Sequence, residues 1–153
     1  MLNRPHLLCV ALTGQLHYTL HRDKLTAAMH IAERIQSLAR EQDDGTLMIE
    51  AYRALAVTLY YSGDYETAQQ YATRAVQIWR SGKIQSHTEG PQTPVFVCMC
   101  YLAGCEWHLG EIASCQATIA EAIALAKELN DMNALAISLG WAAGMAANER
   151  NPC

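Results

Sequence analysis

Residues 50–76 read EAYRALAVTLYYSGDYETAQQYATRAV, and this stretch decides the fold. Apolar residues recur at helical spacing before and after the Gly63-Asp64-Tyr65 segment, so the pattern predicts two helices joined by a tight turn. Small residues, including Ala56 and Ala68, stand where the two helix backbones must approach closely. Such a helical hairpin cannot bury its apolar face alone and must pack against neighbouring hairpins.

The same pattern extends over the rest of the chain. Gly110-Glu111-Ile112 repeats the turn at 63–65, and the small residues Ala28, Ala68 and Cys115 follow one another at intervals of 40 and 47 residues. We therefore predict a single all-α domain over 1–153 with about seven antiparallel helices. The predicted hairpins span about 5–42, 46–80 and 94–130, a long loop covers 81–93, and an unpaired helix covers 132–147.

These positions resemble those of the tetratricopeptide repeat (TPR) family. The match in the central hairpin comprises an aromatic residue, a Leu-small pair, the turn glycine and two small residues of the second helix, namely Tyr52, Leu55-Ala56, Gly63, Ala68 and Ala75. The next unit repeats it with Met99, Leu102-Ala103, Gly110, Cys115 and Ala122. The resemblance implies a right-handed α-α superhelix, a TPR-like solenoid, whose first helices line a concave binding face.

A narrower resemblance concerns the order of several short segments. Residues 22–28, 49–55, 107–110 and 125–129 are similar to the helical-repeat region of multidomain bacterial signalling proteins, which join such a region to a predicted ATPase and to a cyclase, kinase or DNA-binding domain. The resemblance implies a cytoplasmic regulatory or sensor segment, and a chain that is a fragment of a larger protein.

Composition and motifs exclude several other classes of function. A net charge of −4 without a basic cluster argues against nucleic acid as a partner, and no stretch is long and apolar enough to predict a membrane span. The six cysteines fall mostly within helical patterns, which indicates a reducing compartment. Cys98, Cys100, Cys105 and His108 lie on one helix and cannot converge on a metal ion, and a disulfide between Cys105 and Cys115 is a lesser alternative to free thiols. With no catalytic motif present, we predict no enzyme activity, cofactor or metal.

The family resemblance places a concave groove on the first helix of each hairpin. The predicted groove residues are His17, His21, Arg53, Val57, Tyr60, Tyr61, Cys100, Gly104, Trp107, His108, Ile137 and Trp141. Aromatic side chains beside a basic residue are typical of the centres of protein interfaces, so a protein or peptide partner is expected. The alternative is that Tyr60, Trp107 and Trp141 pack only against adjacent helices.

The last predicted helix has no partner helix after it. It carries Leu135, Ile137, Leu139, Trp141 and Met145, which are too many apolar residues for an exposed end of a repeat array. Truncation of a larger array, or pairing with a second copy as a homodimer, would cover them. The sequence therefore favours a protein-interaction scaffold, with self-association or small-molecule sensing in the aromatic groove as alternatives.

Overall fold

The computed structural model describes residues 4–82 and 93–150, and their secondary structure is entirely helical. The seven α-helices predicted from the sequence are present. Their bounds are α1 Pro5–Leu20, α2 Leu25–Gln42, α3 Gly45–Ser62, α4 Tyr65–Arg80, α5 Thr93–His108, α6 Ile112–Glu128 and α7 Met132–Arg150. The last helix continues past the predicted end at 147, and most of the predicted loop at 81–93 lies outside the described residues.

Aspartate side chains begin three of the helices. Asp44 accepts hydrogen bonds from the backbone N–H of Thr46 at 2.8 Å and of Leu47 at 3.2 Å, at the start of α3. Asp64 and Asp131 do the same for α4 and α7, with donors 3.1 and 2.9 Å away. Each carboxylate supplies an acceptor to a first-turn N–H that has no partner within the helix.

Residues in the left-handed backbone conformation end several helices and allow the chain to reverse direction. Gly63 and Gly110 have φ of 83° and 81°, a conformation that costs glycine little because it has no Cβ. Asp43 and Asn130 take the same region with φ of 48° and 53°. The described turns between consecutive helices are two to four residues long, so sequence neighbours pack antiparallel.

Alanine and cysteine make up more than half of the buried apolar residues that the structure describes. Ala28, Ala68 and Cys115, the small residues of the repeated pattern, are 0%, 0% and 2% exposed. Larger residues complete the core, including Leu16, Ile35 and Phe96, which are all fully buried. Small side chains let the helix axes approach, and the close packing follows from that approach.

The odd-numbered helices form one continuous side of the molecule. Each of α1, α3 and α5 contacts the next odd helix as well as its sequence neighbours, whereas α2, α4 and α6, all of them fully described, do not contact one another. The even helices therefore lie further apart, behind the odd ones. We call the side formed by α1, α3, α5 and α7 the odd-helix face. Within the described ranges, no helix is both long and apolar enough to cross a membrane.

Candidate binding groove on the odd-helix face

Two depressions lie on the odd-helix face. The larger, with a volume of about 850 Å³, is bordered by all four odd helices and by the turn after α1. We call it the Arg53 pocket. It collects seven of the predicted groove residues: His17, His21, Arg53, Val57, Tyr61, Ile137 and Trp141.

Arg53 borders this pocket and is almost entirely removed from water. Its side chain is 5% exposed, and its Nε donates to Glu50 Oε2 at 2.7 Å, one helical turn earlier. Its Nη1 lies 3.3 Å from Nε2 of His17 on α1. Among the described residues, Nη2 has no hydrogen-bond partner. A buried guanidinium with one unsatisfied nitrogen is energetically costly unless another group supplies an acceptor.

The contact with Arg53 determines the protonation of His17. A guanidinium can only donate, so Nε2 of His17 must accept and the ring proton must reside on Nδ1. Burial and the positive charge of Arg53 lower the pKa of His17, against a smaller opposing effect of Glu50. His17 is therefore neutral at pH 7 and acts as a hydrogen-bond acceptor, not as a second positive charge.

Aromatic rings form the wall of the Arg53 pocket on the side of α5 and α7. Tyr61 is 58% exposed, and its hydroxyl accepts a hydrogen bond of 3.4 Å from that of Tyr101. The ring of Tyr101 also packs edge-on against Trp141, with centroids 5.0 Å apart. Burial raises the pKa of Tyr101 far above its usual value, so this hydroxyl remains protonated. The wall combines a rigid inner pair of rings with one ring open to solvent.

The smaller depression, of about 360 Å³, surrounds a different set of rings. We call Tyr60, Gly104, His108 and Trp141 the aromatic junction. The ring centroids of Tyr60 lie 5.6 Å from that of His108 and 6.0 Å from that of Trp141. A Cβ added at Gly104 would lie 2.9 Å from Cε2 of Tyr60 and 2.8 Å from Cζ3 of Trp141. The glycine therefore makes room for both rings.

The aromatic junction is held by contacts within the molecule. The hydroxyl of Tyr60 lies 3.2 Å from Nε2 of His108, and burial raises the pKa of Tyr60 to about 12. The His108 ring stacks on Tyr65 with centroids 4.1 Å apart. Trp107 borders this depression but packs against the buried cluster that contains Cys115. These rings therefore contact other helices of the same molecule.

The structure thus divides the predicted groove into two parts and a buried remainder. Tyr60, Gly104, Trp107 and His108 border the smaller depression, and Trp141 borders both. Cys100 is fully buried with Ala103 and borders neither. The assignment of these residues to partner binding remains a prediction.

Sequence reasoning missed several residues of the Arg53 pocket, namely Thr13, Leu20, Asp23, Glu50, Pro94, Val97 and Tyr101. A signal for some of them exists in the sequence. Pro94, Val97 and Tyr101 continue to Gly104 and His108 at intervals of three and four residues, which is one face of a helix. Glu50 stands one turn before Arg53, at the spacing of an intrahelical ion pair.

None of the described cysteines borders either depression. Cys9, Cys98, Cys100, Cys105 and Cys115 are free and buried. Burial raises the pKa of the Cys98 and Cys105 thiols to about 12, so both remain protonated. The Sγ of Cys115 lies 3.3 Å from Sδ of Met145, not in a bond to Cys105. Across residues 4–82 and 93–150, no group of three or more His, Cys, Asp or Glu side chains could hold a metal ion.

Comparison with known proteins provides no relative from which a role could be inferred. No protein-family model, curated protein or solved structure matches this chain.

Proposed function

We propose that the chain is a protein-interaction scaffold, a TPR-like solenoid whose odd-helix face is concave and holds an extended segment of a partner protein. Contacts between successive odd helices, without contacts between even helices, are what a stack curved toward the odd-helix face would require. Sequence features support the further proposal that the scaffold is the regulatory or sensor segment of a bacterial signalling ATPase or cyclase-type protein. No catalytic step is assigned to it.

The observation that carries this proposal is the composition of the Arg53 pocket. Four helices converge on about 850 Å³ of space, with an exposed tyrosine at its edge and a buried arginine that has an unused donor. Tyrosine and arginine are the residue types that contribute most to binding energy at protein interfaces. An unsatisfied buried donor beside a pocket is stabilised when a partner supplies an acceptor.

A matched pair of tyrosines tests the proposal. A random 12-residue peptide library displayed on phage is selected against the chain, and the affinities of the selected peptides are measured by calorimetry. We expect Tyr61→Ala to weaken binding by at least about fivefold, as for a residue at the centre of an interface. Tyr18→Ala is the control, because Tyr18 is 63% exposed on α1 but does not border the Arg53 pocket.

Either of two results would contradict the proposal. The selection would yield no binding peptide, or the selected peptides would bind the Tyr61→Ala variant as tightly as the unchanged chain. Circular dichroism spectra of both variants show whether the helices are retained, so a loss of affinity can be separated from a loss of structure.

Self-association is the second candidate, and exposed apolar residues on α7 favour it. Met132 is 68% exposed and Leu139 is 48% exposed. Exposed apolar residues on one helix can form part of an interface between two copies when they lie in one patch. Light scattering over a range of concentrations tests this candidate. A dimer that Leu139→Glu dissociates would support it, and a mass that stays monomeric throughout would exclude it.

A third candidate is a small-molecule sensor. The volume of the Arg53 pocket falls within the roughly 300–1,000 Å³ of small-molecule sites, and its wall is largely apolar. Calorimetry with free amines and amino acids distinguishes this candidate from peptide binding.

A further inference from the structure

The formal charges that border the Arg53 pocket do not balance. Asp23 and Glu50 supply two carboxylates, whereas Arg53 is the single guanidinium among the lining residues. Glu50 already neutralises Arg53 through the 2.7 Å contact with Nε. His17 adds no positive charge, because its contact with Arg53 requires the neutral ring. Among the described residues, the carboxylate of Asp23 has no ion-pair partner.

Asp23 is held in place by the backbone alone. It lies in the turn after α1 with φ of 53°, and its backbone N–H donates to Leu20 O at 3.1 Å. Among the described residues, none forms an ion pair or side-chain hydrogen bond with its carboxylate. A fixed backbone with a free carboxylate presents a negative charge to whatever enters the pocket.

The aromatic wall favours the same sign of ligand charge. The faces of tyrosine and tryptophan rings carry negative potential and attract ammonium and guanidinium groups. Tyr61, Tyr101 and Trp141 all border the pocket, and Tyr61 is the most exposed of them. The rings and the unpaired carboxylate of Asp23 together favour a cation, whereas an acidic ligand would place a second unpaired carboxylate beside Asp23.

Arg53 adds a second requirement, because its unpartnered Nη2 needs an acceptor. The Arg53 side chain is only 5% exposed and Nη2 itself is buried, so solvent does not supply that acceptor freely. An uncharged carbonyl satisfies the donor without adding negative charge. A peptide offers both features, since a backbone carbonyl lies within reach of each basic side chain.

We propose that the Arg53 pocket binds a lysine or arginine side chain of a peptide segment. The cationic group is attracted by Asp23 and by the rings of Tyr61 and Tyr101, and a neighbouring backbone carbonyl accepts from Arg53. This inference rests on the proposed scaffold function and adds the charge of the partner segment to it.

The test uses three pools of acetylated, amidated eight-residue peptides with uncharged random positions. The central residue is lysine or arginine in the first pool, norleucine in the second and glutamate in the third. Binding to the full chain is measured by fluorescence anisotropy. We expect the basic pool to bind most tightly and the acidic pool to bind most weakly.

Two aspartates provide a matched pair of variants. Asp23→Asn removes the free carboxylate in the pocket, and we expect it to weaken the basic pool by about two- to fivefold, as for an exposed ion pair. Asp43→Asn is the control, because Asp43 also ends a helix with positive φ, at 48°, but lies outside the Arg53 pocket. Asparagine tolerates this backbone region as aspartate does, so both variants should fold.

The remaining outcomes separate this inference from the scaffold function. If the three pools bind equally and Tyr61→Ala abolishes their binding, the cationic preference is overturned and the scaffold function is retained. Tightest binding of the acidic pool would also overturn it. A third outcome is that free N-acetyl-lysine amide or spermidine binds, that this binding requires Asp23, and that no peptide pool binds. This outcome would support the cation site and contradict the peptide scaffold. Absence of binding by every probe would overturn both.

Discussion

The Arg53 pocket and the aromatic junction adjoin on the odd-helix face and use similar residue types. Each combines tyrosine, histidine and Trp141, which borders both. In the junction, the Tyr60 ring is surrounded by other rings of the same molecule. In the pocket, Tyr61 faces solvent and Arg53 keeps an unused donor. The comparison teaches that residue type does not distinguish packing from binding, whereas the completeness of each side chain's contacts does.

Adjacent tyrosines give the largest expected contrast. We expect Tyr60→Ala to lower the free energy of unfolding by about 3 kcal/mol, since truncating a packed aromatic removes contacts and leaves a cavity. Tyr61→Ala should change it by no more than about 0.5 kcal/mol, as for an exposed side chain. Urea unfolding measures both. Similar losses in the two variants would mean that the pocket and the junction are one packed unit.

Two glycines provide the next contrast. Gly104→Ala should cost about 1–3 kcal/mol, because its Cβ would overlap Tyr60 and Trp141 in the junction. Gly140→Ala on α7 should instead stabilise the chain by about 0.5–1 kcal/mol, since no atom lies within 4 Å of its added Cβ and alanine favours a helix. Thermal unfolding compares them. A Gly104→Ala variant as stable as the unchanged chain would show that the rings can separate at little cost.

The smallest expected effect is a dependence on pH in the Arg53 pocket. The pKa of His17 is lowered in the folded chain, chiefly by burial, so the unfolded chain takes up its proton at higher pH than the folded chain. The contribution of His17 to stability is therefore present above pH about 6.5 and is lost as pH falls through the folded pKa. We expect a steeper decrease in melting temperature on acidification for the unchanged chain than for His17→Gln, which keeps an acceptor but does not titrate. Parallel curves would contradict this prediction.

Much of the secondary structure could be predicted because it depends on local chemistry. The Gly63 and Gly110 turns and the caps at Asp64 and Asp131 follow from backbone conformation and first-turn donors, which nearby residues determine. The end of α7 was predicted less accurately, because Ala146, Ala147 and Asn148 carry no strong signal that terminates a helix. The handedness of the proposed superhelix depends on small rotations between hairpins, which no local pattern encodes.

The site could be predicted only in part. The family resemblance placed His17, Arg53, Tyr61 and Trp141 on one face, and the structure brings all four to the same pocket. Cys100 was placed there as well, but α5 is turned so that Tyr101 borders the pocket and Cys100 is buried. One residue corresponds to about 100° of rotation on a helix, so an error of one position exchanges a surface residue for a core residue.

The sequence alone determined the helices, their turns and the small residues through which they pack, because these depend on neighbours a few positions away. Only the tertiary structure decided that Tyr60 is partly buried among other rings while Tyr61 is open to solvent. It also decided that Arg53 contacts His17, 36 residues earlier, and that Nη2 has no partner among the described residues. The physical reason is distance. Helical periodicity fixes the direction of a side chain to within one face, whereas hydrogen bonds and ring contacts depend on separations of a few tenths of an ångström between helices that are remote in the chain.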